Sequence, residues 1–166
     1  MKTHIRSIMS TIISLKSCAY RINEQKKIGR CIVLTNGCFD ILHRGHADYL
    51  HEARCLGDYL VVVLNSDNSI RKLKGPDRPI FNESDRSFMI ASLEYVDKVI
   101  VVDSERLDKE FAILKPDVYV KGSDYSEETL DQNEYKALKT SGCEFKFISL
   151  TEGFSTTSII ERFKVL

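Results

Sequence analysis

The sequence predicts an α/β fold with one five-stranded parallel sheet flanked by helices. Three observations predict it. Five short runs rich in apolar and β-branched residues, 31–35 (CIVLT), 59–64 (YLVVVL), 98–102 (KVIVV), 117–121 (DVYVK) and 145–149 (FKFIS), read as strands. The first three are apolar almost throughout, as strands covered on both faces must be. Segments with helical spacing separate the runs, and short strands alternating with helices form a parallel sheet through right-handed crossovers. The chain of 166 residues suits one such domain.

Each intervening element carries its own signal. Residues 1–30 read as an N-terminal helical extension, with Ile5, Ile8, Ile12 and Leu15 at helical spacing and Gly29 marking the turn into a domain spanning 31–166. A helix over 44–56 places Leu50, Ala53 and Leu56 on one face and stops at Gly57. Residues 65–81 read as a polar loop carrying Lys72, Lys74, Gly75, Pro76 and Pro79. Asn82 caps a helix over 83–94. Ser104 caps one bearing Leu107, Phe111 and Leu114, ended by Pro116. Ser126 caps a helix over 127–140 with Gly142 beyond it, and Ser155 opens a last helix carrying Ile159, Ile160 and Phe163.

Composition narrows the function. Lys and Arg number 24, as do Asp and Glu, so the net charge is zero and a nucleic-acid coat is disfavoured. At 43% hydrophobic, the chain has enough apolar content for a packed core. The five cysteines, at 18, 31, 38, 55 and 143, are odd in number and contain no C-x-x-C pair, which fits reduced thiols in the cytoplasm. No apolar run reaches the roughly 18 residues of a membrane helix. The start, Lys2 and Arg6 before Ile8–Leu15, has an export-signal flavour. Ser10, Thr11, Ser14 and Lys16 argue against that reading.

Ligands of open parallel sheets bind beyond the carboxyl ends of the strands. The segments there are T-N-G-C-F-D-I-L-H-R-G-H (35–46), N-S-D (65–67), K-G-S-D-Y (121–125) and T-E-G-F-S-T-T (151–157). Neither a G-x-G-x-x-G fingerprint nor a G-x-x-x-x-G-K-S/T loop is among them. His43 and His46 are three apart where a strand gives way to a helix, so both imidazoles can point to one spot. A helix N-terminus offers free amides to a phosphate, and Gly45, without a Cβ, leaves room for a ligand at the backbone. The bland alternative is a capping histidine beside a surface one; convergence of polar segments on one rim favours a site. Ser155, Thr156 and Thr157 form a second anion site at another helix start, although Ser155 alone would be an ordinary cap. Lys72 and Lys74 are candidates for neutralising the remaining phosphate charge. Cys38 invites a nucleophile reading, which phosphate chemistry at the neighbouring histidines does not need.

These motifs resemble the nucleotidyltransferase superfamily marked by H-x-G-H near the start and S-T-T near the end, built on a single Rossmann-like domain. Together with L-N-S-D (64–67), L-K-G-P-D-R-P (73–79) and K-G-S-D-Y, they resemble the D-glycero-β-D-manno-heptose 1-phosphate adenylyltransferases over residues 28–163. Many of those are fused to a sugar kinase, and the resemblance here is to the stand-alone form. It implies transfer of AMP from ATP to the sugar 1-phosphate, giving ADP-heptose for lipopolysaccharide or a similar glycan, with pyrophosphate released. It implies catalytic roles for His43, His46 and Lys72. It places Cys38, Phe39, Lys121, Gly122, Ser155, Thr156 and Thr157 around the nucleotide with the two histidines. Candidates for the sugar phosphate are Asn36, Asp40, Asn65, Asp67, Lys74, Arg78 and Asp124, with Asp40 equally able to be a structural cap. Arg86 is read as structural, paired with Asp85 or Glu83. Mg²⁺ is expected with the ATP, held by phosphate oxygens and water rather than by a protein cage. Relatives are often homodimers; neither a membrane nor a nucleic acid is implied as a partner.

Glycerol-3-phosphate cytidylyltransferases share L-G-D-Y-L-V-V (56–62) and T-E-G-x-S-T-T, but carry Arg before the latter, where this chain has Leu150. Their strand-four motif resembles M-G-D-D-W, against K-G-S-D-Y here. Ser123 also departs from the heptose family's usual Gly, a strained choice if φ is positive there. Cytidylyl transfer to an alcohol phosphate is therefore one alternative, and a silent nucleotide-binding module is another.

Overall fold

The computed structural model describes residues 7–164, with the side chain of Lys164 left out. Its elements are α1 (Leu15–Lys27), β1 (Ile32–Gly37), α2 (Arg44–Arg54), β2 (Tyr59–Asn65), α3 (Asp67–Lys74), α4 (Glu83–Ala91), β3 (Lys98–Val102), α5 (Asp108–Leu114), β4 (Val118–Gly122), α6 (Gln132–Thr140), β5 (Glu144–Ile148) and α7 (Thr156–Lys164). The five strands form one sheet in the order β3-β2-β1-β4-β5, and every pair is parallel. The predicted architecture is the observed one.

The strand sequences explain the layering. All seven residues of β2 are buried, each burial contributing about 1.5–3 kcal/mol for a Val or Leu. Successive side chains alternate between faces. Ile32, Leu34, Val61, Val63, Ile100 and Tyr119 meet Cys18 and Ile22 of α1, Phe111 and Leu114 of α5 and Leu138 of α6. Val33, Leu60, Val62, Leu64, Val99 and Val120 meet Tyr49, Leu50 and Ala53 of α2 and Ile90 and Ala91 of α4. The amino edge of the sheet is tied by carboxylates: Asp58, Asp97 and Asp117 accept from the amides of Cys31, Leu60 and Ile32. The carboxyl edge is left for a ligand.

Four local expectations need correction. The supposed loop 65–81 contains α3, because Ser66 accepts from the Ser69 amide as an N-cap and Ile70 is fully buried. Ser104 is no cap: α5 begins at Asp108, and the Ser104 hydroxyl donates to Glu110. Asp131, not Ser126, caps α6, accepting from the amides of Asn133 and Glu134. Ile12 is not helical with Leu15; it forms a parallel bridge with Val99, at the open edge of β3, before Ser14 caps α1. Ile5 lies outside the described residues.

Candidate active site

A cavity of about 670 Å³ runs along the carboxyl edge. Its best-defined corner is the β1–α2 junction. His43 is the N-cap of α2 in extended backbone (φ −138°, ψ 170°), and its Nδ1 accepts from the His46 amide at 3.3 Å. That hydrogen bond assigns the proton of neutral His43 to Nε2. The two imidazoles stack, with centroids 3.7 Å apart and planes 17° from parallel. Burial lowers the pKa of His43. Burial, then His43, push His46 down to about 4, against a hydrogen bond to the Ile41 carbonyl. Both rings are therefore neutral near pH 7. His46 Nδ1 is buried with no hydrogen-bond partner among the described residues, an orphan of the kind a ligand resolves.

The surroundings hold this corner still. Phe39 meets His46 edge-on at 5.2 Å, from a left-handed backbone (φ 43°) that few non-glycine residues adopt. A Cβ at Gly45 would stand 3.2 Å from the His43 ring and 3.1 Å from Phe154, so a larger residue there would make both give by a few tenths of an ångström. Gly45 also lines the cavity. Tyr49 of α2 ties two strands, with its hydroxyl 2.7 Å from Thr35 Oγ1 and donating to the Val120 carbonyl.

Beside this corner, with the Phe154 ring 6.3 Å from that of His43, stands the 150–157 segment. Ser155 Oγ accepts from the Ser158 amide, so Ser155 does cap α7. Ser155, Thr156 and Thr157 all line the cavity, as do Phe154 and Leu150. Thr151 donates to Asp48, binding this segment to α2.

The cytidylyltransferase-like family model matches residues 34–162. The chain belongs to that family. As a member it is a nucleotidyltransferase. It is 46% identical over 153 residues to the bifunctional protein HldE of Helicobacter pylori strain P12, covering 92% of this chain and 31% of that protein. The HldE of Syntrophotalea carbinolica is 46% identical over 141 residues, covering 85% of this chain and 28% of that protein. The chain thus spans less than a third of these relatives. The crystal structure of the lipopolysaccharide core biosynthesis protein from Thermoplasma volcanium matches with a TM-score of 0.60 and 35% identity, over 74% of this chain and 98% of that one.

In this cytidylyltransferase-like chain the other named residues divide. Asn36, Cys38, Phe39, Asp40, Asn65, Lys74, Arg78, Lys121, Gly122 and Asp124 line the same cavity as the histidines. Lys72 does not: it pairs with Glu105 at 3.3 Å on the surface. Glu105 itself lines the cavity, so this pair stands at its rim. Asp67 is also outside it, held by Arg86 at 2.8 Å. Asp40 is committed as a staple, accepting from the Ile80 and Phe81 amides at 2.8 and 3.0 Å and from Arg78 Nε at 2.7 Å. Asn36 Oδ1 accepts from the Tyr119 hydroxyl. Ser123 has no positive φ, and its amide donates to the Ile148 carbonyl, so the departure from Gly carries no strain. Gly122 admits Asp124, whose carboxylate folds back to where a Cβ would stand.

Arg86 is the residue that sequence reasoning misassigned. It does not pair with Asp85 or Glu83. Its fully buried guanidinium donates to the carbonyls of Cys38 (2.6 Å), Asn65 (2.9 Å) and Phe81 (2.9 Å) and to Asp67. It therefore welds the ends of β1 and β2 together beneath the site. A buried arginine on a short helix was the available signal, but its partners are up to 48 residues away in sequence.

Proposed function

We propose that the chain transfers AMP from ATP to D-glycero-β-D-manno-heptose 1-phosphate, forming ADP-heptose and pyrophosphate. The observation that carries this is the stacked, neutral histidine pair with an orphaned His46 Nδ1, set at the N-terminus of α2 in the same cavity as the start of α7. Two helix starts on one cavity suit a triphosphate. The names of the relatives, a bifunctional HldE and a lipopolysaccharide core biosynthesis protein, support the acceptor.

In this reading a phosphate oxygen of the sugar 1-phosphate attacks the α-phosphorus of ATP. One P–O bond forms, the α–β bridging bond breaks, and pyrophosphate departs with the electron pair. His43 Nε2–H donates to the α-phosphate and stabilises charge that grows on it in the transition state, whereas His46 Nδ1, a lone pair in the neutral ring, donates there only after taking up a proton. Ser155, Thr156 and Thr157 hold the β/γ end with hydroxyls and free helix amides. Lys74 adds positive charge, and Gly122 borders the nucleoside. Mg²⁺ enters with ATP as part of the substrate. Its expected ligands are phosphate oxygens and water.

Pyrophosphate release with Mg²⁺, crossing ATP and CTP with heptose 1-phosphate and glycerol 3-phosphate, tests this. Release with ATP and the heptose alone is expected. Release with CTP and glycerol 3-phosphate alone would overturn the substrates, and would make the T-E-G-x-S-T-T likeness the better guide.

A further inference from the structure

The cavity does not end at the phosphate corner; it crosses the top of the sheet. On β4, Val118 and Val120 face α2 and α4, whereas Tyr119 faces α5 and α6. Lys121, two residues beyond Tyr119, shares its direction. It therefore points away from the side that carries His43, His46 and the 150–157 segment. Glu134, in the first turn of α6, lines the same far lobe with Leu107, Tyr125 and Leu130.

Both charges have unused bonding capacity. Lys121 Nζ sits 4.7 Å above the Tyr125 ring, and its one hydrogen bond, to the Asn36 carbonyl, is long at 3.5 Å. Glu134 Oε1 accepts from the Leu107 amide at 2.9 Å, while Oε2 takes no hydrogen bond among the described residues. Asp131, also at this lobe, is spent: Oδ1 takes two amides of α6 and Oδ2 pairs with Arg106. Burial lowers the Lys121 pKa, opposed most by Glu134. Burial raises that of Glu134, opposed by the Leu107 amide and then by Lys121. Each charge is desolvated and only partly compensated by the other.

A ligand that completes this pair must give a proton to Glu134 and lend a lone pair to Lys121. Neighbouring hydroxyls do both. A phosphate would be repelled by Glu134, while the ATP ribose hydroxyls, or a base edge with an amino group beside a ring nitrogen, meet the same demand and would show in the KM for ATP instead. We propose that Lys121 and Glu134 read the hydroxyls of the acceptor sugar, whose body lies over α5 and α6 while the triphosphate lies over α2 and α7. This rests on the sugar-phosphate acceptor proposed above, and it moves Lys121 from the nucleoside, where the resemblance put it, to the acceptor.

The test is steady-state kinetics of Glu134→Gln and Lys121→Met with ATP and heptose 1-phosphate. Glu134→Gln keeps an oxygen for the Leu107 amide. The KM for the sugar phosphate should rise about ten- to a hundredfold, the loss expected for one hydrogen bond to a charged group. The KM for ATP should stay within about twofold. A raised ATP KM with an unchanged acceptor KM would place the pair against the nucleotide and overturn the proposal. So would unchanged constants for both substrates in an active enzyme. If Lys121→Met melts early, Lys121→Arg, which keeps the charge, must show a smaller acceptor defect than Met. Wild-type protein that releases no pyrophosphate with any sugar 1-phosphate would defeat the proposed function itself, and the pair with it.

Discussion

The two halves of the phosphate corner are built differently. The β1–α2 half is packed and tied: Gly45 is buried, the His43 ring folds over it, and Arg86, with 0% of its side chain exposed, clamps the backbone beneath. The 150–157 half is open. Leu150 is 50% exposed and Phe154 41%, and Ser155 makes only local hydrogen bonds at the start of α7. The difference teaches where preorganisation is placed. In the proposed function, the donors for the reacting phosphate are the ones fixed before any ligand arrives, which is what transition-state stabilisation needs. In the same proposal, the donors for the departing pyrophosphate sit on the exposed half.

The largest expected effect falls on the clamp. Arg86→Met should cost about 3–5 kcal/mol in chemical denaturation, because it strands the Asp67 carboxylate and three carbonyls without their cation. A cost below about 0.5 kcal/mol, as for a surface residue, would break the contrast between the halves.

The next effect is a pH dependence of the packed half alone. The folded protein holds the His46 pKa at about 4, against an ordinary 6.5. The unfolded chain therefore takes up the proton first, and stability falls as pH drops from 6.5 towards 4. The slope from this group is at most about 1.4 kcal/mol per pH unit. His46→Gln should flatten the melting-temperature profile over that window; an unchanged profile would show that His46 is not the titrating group. Ser155, Thr156 and Thr157 carry no titratable side chain to add to it.

The smallest effect belongs to the open half. Ser155→Ala removes one helix cap and should lower stability by about 1 kcal/mol or less. It should also weaken ATP binding measured by calorimetry. A stability loss as large as that of Arg86→Met would mean that the two halves are equally structural.

Much of the fold was legible in the sequence because its signals are local. A strand buried on both faces must be apolar throughout, so β2 and β3 announce themselves, while α3, short and mostly polar, does not. Helix caps were read less well. Asp131 and Ser126 are both acceptable caps, and only the position of Leu130 in the core decides between them. The histidine pair was legible because three-residue spacing at a strand-to-helix junction sets its direction within a single turn.

The sequence by itself therefore determined the α/β class, the order of its elements and the edge on which a ligand must lie. The last follows because parallel strands bring all their carboxyl ends to one side. The tertiary structure decided which charges meet there. Lys74 lines the cavity and Lys72 pairs with Glu105; Asp40 is a staple; Arg86 joins the distant carbonyls of Cys38 and Asn65; Lys121 shares a lobe with Glu134. Those outcomes depend on where each helix starts and on partners 13 to 48 residues away. A charged side chain carries no local mark of its partner, because the choice is made by the packing that brings the two together.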